Sequence, residues 1–192
     1  SNIYLNPLDH LMAQKGFALV RYADDFVILC RSPEEATQAL AAVQEWTAAA
    51  GLTLHPTKTR IVNATDDGFE FLGYRFENGK RYPRTKSLEK LKDTIRAKTK
   101  RTSGQCLRAI IGSLNPTLRG WFEYFKHSDR WTLTRLDQWI RMRLRSLLRK
   151  RLGLKGRGRG ADHHRWPNAF FAKQGLYSLK TAHELACQSS SR

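Results

Sequence analysis

Cysteines, long apolar runs and, over one long segment, acidic side chains are scarce in this sequence. The three cysteines, Cys30, Cys106 and Cys187, are odd in number and far apart in the 192 residues. They therefore form neither a disulfide framework nor a metal-binding spacing, and we expect a reducing, cytoplasmic setting. No apolar run approaches the roughly 20 residues that a membrane span needs. Because no secretory signal pattern opens the sequence either, we expect no membrane partner.

The scarcity of acidic residues is confined to the middle of the chain. The formal net charge is +17, yet residues 1–83 hold 8 basic and 10 acidic side chains. Residues 84–160 hold 22 basic and 5 acidic side chains, and residues 161–192 hold 4 and 2. So dense a positive segment attracts a polyanion through counterion release, and nucleic acid is the usual one. A solvated face that serves solubility is the simpler alternative.

Hydrophobic periodicity predicts mixed α and β structure in the first 83 residues. We predict a helix over 1–15, a β-hairpin of buried strands 17–21 and 26–30, and a helix that follows Ser32 and ends at Gly51. Extended segments are expected over 52–54 and 59–62, and one strand over 69–76. A turn over 77–80 then leads to a returning strand.

From Thr85 onward the pattern predicts only helices. They are expected over 87–100, over 103–113, from Asn115-Pro116 through Phe125, over 132–152, and near 167–173 and 178–187. In the long fourth helix the apolar residues Leu133, Leu136, Ile140, Leu144 and Leu147 share one face. Arg141, Arg145 and Arg149 lie on roughly the opposite face, which predicts a docked side and a basic side that binds a polyanion.

Two adjacent carboxylates stand at the turn of the first hairpin. The stretch from Phe17 to Cys30 reads FALVRYADDFVILC, and Asp24 and Asp25 lie between its two apolar runs. Carboxylate oxygens are the hard ligands that Mg²⁺ prefers, and rigid strands fix their direction. A solvated surface turn is the simpler interpretation of an Asp-Asp pair, and the flanking apolar strands argue against it.

This hairpin resembles the polymerase hairpin of reverse transcriptases, in the group II intron branch. Further segments resemble the same family in order: SNIYLNPLD the preceding helix, GLTLHPTKTRIV the following segment with its lysine, and FEFLGYRF the primer-gripping hairpin. LNPTLRGWFEYFKHS and RWPNAFFAKQGLYSL resemble the maturase-specific thumb region. The resemblance covers almost the entire chain. It implies an α+β fold, in which a partial palm over 1–83 precedes an all-α basic thumb/maturase bundle over 84–160 and a C-terminal extension over 161–192.

The resemblance also implies roles in polymerisation of DNA on an RNA template by two Mg²⁺ ions. Asp24 would be the main metal ligand and Asp25 a supporting carboxylate, while Tyr22 and Ala23 would lie under the primer end and the incoming nucleotide. Lys58 would stand near the leaving pyrophosphate as a proton donor, with an ordinary surface lysine as the alternative. The primer grip would consist of Phe71, Leu72, Gly73 and Tyr74.

Basic side chains of the helical segment are the predicted RNA contacts. They are Arg119, Lys126, Arg130, Arg141, Arg145, Arg149, Lys150, Arg157 and Arg159. The partners implied by the resemblance are intron RNA and an RNA template, with a DNA primer and dNTPs in the full-length enzyme.

One departure from the family pattern limits the expected activity. The family's metal site uses a third aspartate on an earlier palm strand, and Asp9 cannot replace it because Asp9 lies on the predicted first helix. We therefore expect a C-terminal fragment of a reverse transcriptase/maturase that synthesises no DNA alone. The alternatives are a non-catalytic RNA-binding splicing helper and a relative that serves CRISPR or another host system.

Overall fold

A computed structural model describes residues 2–189 and divides the chain into two compact units. The first unit ends at Gly79 and the second begins at Lys80. The first unit contains α1 (Asn2–Gln14), β1 (Ala18–Tyr22), β2 (Asp25–Leu29), α2 (Pro33–Ala49), β3 (Phe69–Phe71) and β4 (Tyr74–Glu77). The first helix was predicted from Ser1, which lies outside the described residues.

The β1–β2 hairpin buries only one of its faces. The strands pair antiparallel from Ala18 opposite Leu29 to Tyr22 opposite Asp25. Phe17, Leu19, Phe26 and Ile28 pack against a small core of Leu8, Met12, Ala42 and Val43 from α1 and α2. Val20, Tyr22 and Leu29 are 47%, 66% and 54% exposed. The expectation of buried strands is therefore wrong for the outer face, because the helices of this unit cover only the inner one.

Helix α2 begins as predicted from its sequence. The Ser32 hydroxyl accepts a hydrogen bond from the Glu35 amide, and the Glu35 carboxylate accepts one from the Arg31 amide. The bond to Ser32 satisfies an amide that the first turn leaves without a helical partner, and the bond from Arg31 ties the preceding residue to the same turn. In contrast, residues 52–62 contain no strand: the segments 52–54 and 59–62 have no regular secondary structure, and a turn over 56–58 lies between them.

The single strand that the alternation predicts over 69–76 is in fact a tight hairpin, as the resemblance of FEFLGYRF implied. Strands β3 and β4 pair antiparallel, with Phe71 opposite Tyr74. Leu72 and Gly73 form the turn with φ of 48° and 78°, and positive φ at both positions is the pattern of a type I′ turn. Leucine is a poor signal for this conformation, which explains the error. A second turn at Asn78 and Gly79 precedes β5 (Lys80–Pro83), so the predicted returning strand is confirmed.

The remainder of the second unit is helical. Its helices are α3 (Thr85–Lys98), α4 (Leu107–Phe125), α5 (Arg130–Arg151), α6 (Ala161–Arg165), α7 (Asn168–Lys173) and α8 (Leu179–Ser189). Among residues 2–189, no helix has both the length and the apolar character that crossing a membrane requires.

Helix α4 corrects the prediction of two helices separated at Asn115-Pro116. Pro116 lies inside one continuous helix, where its missing N–H removes one backbone hydrogen bond. The Asn115 side chain does not cap a helix start. Its amide donates to the Gly175 carbonyl, and its oxygen accepts from the Tyr177 amide. This contact across 60 residues of sequence was invisible to a local pattern.

One apolar core joins the helices of the second unit. The five predicted apolar residues of α5 are all buried in it, which confirms that face. Phe171 of α7 and Leu179 of α8 are fully buried in the same core. Asp137 of α5, 3% exposed, accepts hydrogen bonds from the amides of Leu179 and Lys180 at the start of α8. The last helices therefore pack as part of this unit.

Candidate functional site

A strained two-residue turn presents the aspartate pair. Tyr22 pairs with Asp25, so Ala23 and Asp24 alone connect the strands. Ala23 has φ of 56°, and a positive φ at the first turn residue is the type II′ pattern that favours glycine. An alanine there costs on the order of 1 kcal/mol. This strain is located at the residue that precedes both carboxylates.

Arg21 ties the turn to α1. Its Nη1 donates to the Ala23 carbonyl at 2.7 Å, while Nε and Nη2 donate to the two carboxylate oxygens of Asp9 at 2.7 and 2.5 Å. The hydrogen bonds from Arg21 hold the pKa of Asp9 below its ordinary value, against an opposing effect of desolvation. Asp9 lies on α1, as predicted, and its carboxylate is engaged by Arg21.

Asp24 and Asp25 are exposed and available to a cation. Within the described part of the chain, neither carboxylate has a hydrogen-bond or ion-pair partner. Two adjacent, solvated, hard oxygen ligands suit a divalent ion. No group of three or more His, Cys, Asp or Glu side chains that could hold a metal occurs among residues 2–189. The hairpin therefore presents two exposed carboxylates, and the described residues do not assemble a complete metal site around them.

The other predicted polymerase residues lie in the same unit. The exposed Tyr22 stands directly opposite Asp25 on the outer face of the hairpin. Lys58 is exposed in a turn after Pro56, and no contact within the described ranges joins it to the aspartates. In the β3–β4 hairpin, Phe71 and Tyr74 are half-buried on either side of the turn formed by Leu72 and Gly73.

Arg145, predicted on an exposed RNA face, is buried. It is 3% exposed, and its Nε and Nη2 donate to the Trp166 carbonyl and the Asn168 side chain at 2.9 and 2.8 Å. Its guanidinium lies 5.2 Å from the centre of the Phe171 ring. Burial is the main cause that lowers the pKa of this guanidinium. The stripe of three arginines is therefore not a continuous exposed face, because the segment after α6 covers its middle member.

Asp162, which sequence reasoning did not single out, organises the basic loop before α6. Its carboxylate accepts hydrogen bonds from the Arg149 guanidinium and the Arg159 amide, both at 2.9 Å. The hydrogen bond from the Arg159 amide is the main cause that lowers the pKa of Asp162. Arg149 also donates to the Lys155 carbonyl at 2.8 Å. The sequence signal for this role was an aspartate in the first turn of a short helix, where a carboxylate can accept hydrogen bonds from backbone amides.

The other predicted RNA contacts differ in how freely they reach solvent. Three of them form ion pairs: side-chain nitrogens of Arg141, Lys126 and Arg130 lie 3.9, 3.7 and 3.2 Å from carboxylate oxygens of Asp137, Glu123 and Glu184, respectively. The Arg119 guanidinium lies 5.4 Å from the Tyr177 ring centre. Lys150, Arg157 and Arg159 are exposed, and within residues 2–189 the side chains of Lys150 and Arg157 have no ion-pair partner.

Comparisons with known proteins agree with both units. The family model described as reverse transcriptase (RNA-dependent DNA polymerase) matches residues 1–76. The model described as group II intron, maturase-specific domain matches residues 88–166. A search of curated proteins finds no significant match. The order of the two domains does not favour a splicing helper alone or a CRISPR-associated relative. The chain belongs to the group II intron-type reverse transcriptase/maturase family.

Proposed function

We propose that this chain binds intron RNA through exposed cations of its second unit and contributes two carboxylates to a polymerase metal site. The observation that supports the metal role most strongly is the strained turn that leaves Asp24 and Asp25 exposed and without partners. Strain of this kind concentrates at functional sites. The three cysteines are free thiols, which suits the reducing cytoplasm where we propose that the protein acts.

In the complete active site, Asp24 is the main ligand and Asp25 the supporting one. Two bound Mg²⁺ ions would neutralise charge on the phosphates and activate the primer 3′-hydroxyl. The exposed ring of Tyr22 and the small side chain of Ala23 border the place where a primer end and a dNTP would lie. Lys58 is the proposed proton donor to the leaving pyrophosphate, and the turn from Phe71 to Tyr74 is the proposed primer grip.

The isolated chain of 192 residues should not synthesise DNA. It presents two of the three carboxylates that the family's metal site uses, and the remaining nearby carboxylate, Asp9, is held by Arg21. Its RNA role does not depend on that chemistry. Lys150, Arg157 and Arg159 are the exposed predicted contacts best placed to neutralise RNA phosphates.

Paramagnetic Mn²⁺ tests the metal role without any activity assay. We expect Mn²⁺ to broaden the backbone NMR signals around the β1–β2 turn of the 192-residue chain. The variant Asp24→Asn/Asp25→Asn should lose this broadening. The chain offers a matched control, since Asp66 and Asp67 form another adjacent exposed pair in the same unit. Equal loss in Asp66→Asn/Asp67→Asn, or no broadening at the turn, would contradict the proposal.

A further inference from the structure

The end of α3 and the segment that follows it carry many positive side chains and few negative ones. Residues 96–108 contain five cations, Arg96, Lys98, Lys100, Arg101 and Arg108. Asp93 is the one acidic residue in the sequence from 90 to 112, and it already accepts a hydrogen bond from Arg96 at 2.5 Å. None of these five cations belongs to the RNA contacts predicted from the sequence.

Helix α5 adds a rigidly held arginine to this charge. Arg143 donates through Nε to the Thr99 hydroxyl at 2.7 Å and through Nη2 to the Thr99 carbonyl at 3.3 Å. Thr99 itself is fully buried. The Trp139 ring has two guanidinium groups nearby, Arg143 at 5.4 Å and Arg96 at 5.7 Å from its centre. Cation–π contacts of this kind fix the direction of both charges.

Burial and two neighbouring cations disfavour the charge of Arg143. Burial lowers the pKa of Arg143, and the neighbouring charges of Arg96 and Arg101 lower it further. Like charges held close together destabilise the folded chain unless an opposite charge is bound. Because the local sequence offers only Asp93, an external anion is the group that would relieve this repulsion.

An open cavity of about 360 Å³ lies beside the cations. Its polar lining consists of Lys98, Lys100, Thr102, Ser103, Gln105 and Ser113, and no carboxylate lines it. Lys98 donates to the Ser113 carbonyl at 2.8 Å, and Arg151 donates to the Gln105 carbonyl, so the walls are fixed by hydrogen bonds. Ammonium and hydroxyl donors around a cavity without carboxylates match the oxygens of a phosphate group.

We propose that this cavity binds a backbone phosphate of RNA. Lys100, which lines the cavity, and the neighbouring Arg101 supply the positive charges that contact this phosphate. The inference rests on the proposed RNA-binding function and extends the RNA surface to a side of the second unit that the sequence analysis did not include. Arg96 and Arg143 act through the field they create, because Asp93 and Thr99 already engage them.

Charge reversal at two positions tests this site against a matched control. Lys100→Glu/Arg101→Glu changes exposed cations beside the cavity, whereas Lys86→Glu/Lys90→Glu changes exposed cations at the other end of α3 by the same total charge. We expect the first variant to bind RNA at least ten times more weakly near 0.1 M salt. Its salt dependence should fall by about 0.7 to 0.9 in log–log slope, since one lost phosphate contact contributes about that much. The control should change markedly less.

The remaining outcomes separate the alternatives. Equal losses in the two variants would overturn the site and leave a diffuse charge effect. Stabilisation of the wild type by inorganic phosphate alone, lost in Lys100→Glu/Arg101→Glu with RNA affinity intact, would assign the cavity to free phosphate and overturn the RNA assignment. If the reversal impairs folding, Lys100→Gln/Arg101→Gln and Lys86→Gln/Lys90→Gln repeat the comparison. Absence of RNA binding by the wild type would contradict the proposed function itself.

Discussion

Asp9 and Arg21 form a two-bond ion pair that connects α1 to the aspartate turn. Arg21 places Nε and Nη2 2.7 and 2.5 Å from the Asp9 carboxylate oxygens, and its Nη1 holds the Ala23 carbonyl. The Arg21 side chain is 11% exposed and that of Asp9 is 34% exposed. One guanidinium therefore links the helix, the strand and the turn that carries the candidate metal ligands.

Asp9→Asn should make the first unit less stable and less sensitive to acid. Arg21 lowers the pKa of Asp9 below the ordinary 3.8, so the pair stabilises the fold above that pH and this stability is lost as pH falls through the folded-state pKa. We expect a loss of about 0.5–1 kcal/mol near neutral pH. Thermal melts from pH 7 to pH 3 measure it. The melting temperature of the Asp9→Asn variant should fall less with decreasing pH than that of the wild type. Glu45→Gln, at an exposed position, should keep the wild-type dependence of the melting temperature on pH.

Ala23→Gly should stabilise the hairpin by about 0.5–1 kcal/mol. Glycine adopts the positive φ of this turn without the steric cost of a Cβ, although it also gains freedom in the unfolded chain. Chemical denaturation measures the change in the free energy of unfolding. The control Ala41→Gly lies in the middle of α2, where glycine should destabilise by about 1 kcal/mol. Destabilisation by both substitutions would contradict the strain assigned to Ala23.

Arg145→Ala should impair folding of the second unit. The substitution removes hydrogen bonds to the Trp166 carbonyl and the Asn168 side chain and leaves a cavity over Phe171. We expect a loss of about 2–4 kcal/mol in the free energy of unfolding. Lys150→Ala, at an exposed position on the same helix, should change it by less than about 0.5 kcal/mol. A stable Arg145→Ala chain with weakened RNA binding would restore Arg145 to the RNA face.

Asp137→Asn should loosen α8 from the rest of the second unit. The buried carboxylate accepts from the Ser178 hydroxyl and from the amides of Leu179 and Lys180. Loss of the charge and of one acceptor should lower the free energy of unfolding by about 1.5–3 kcal/mol. Faster hydrogen exchange at the amides of 179–189 measures it. Glu123→Gln, an exposed carboxylate, should leave that exchange unchanged, and unchanged exchange in both variants would contradict the role of Asp137.

Local patterns in the sequence predicted the first hairpin and most helices with small errors at their ends, but they divided α4 at Asn115-Pro116 and did not predict α6. The apolar face of α5 was predictable because its spacing alone determines which side is buried. The burial of Arg145 was not, since its partners Trp166 and Asn168 come from a loop and helix about 20 residues later. The prediction of a helix start at Asn115 failed for the same reason. Asparagine is a common helix-capping residue, but the partners of Asn115 are Gly175 and Tyr177, which are distant in sequence.

The residues of the candidate site were predictable from the sequence, whereas much of their geometry was not. The adjacent Asp24 and Asp25 are visible in the sequence, and the antiparallel register that presents them follows from the two apolar runs. The positive φ of Ala23 and the four hydrogen bonds of the Arg21 side chain depend on backbone conformation and on the position of α1. A one-dimensional pattern does not contain that information.

Salt-dependent RNA binding by the 192-residue chain is the sharpest test of RNA recognition by the second unit. Dissociation constants for a group II intron RNA should be measured from 50 to 200 mM salt for the wild type, Lys150→Glu/Arg157→Glu and the control Lys15→Glu/Arg60→Glu. All four cations are exposed, and the control pair lies in the first unit. We expect binding that weakens steeply with salt, and a log–log slope reduced by about 1.4 to 1.8 in the first variant only. Binding that is absent, independent of salt, or equally affected by both variants would contradict it.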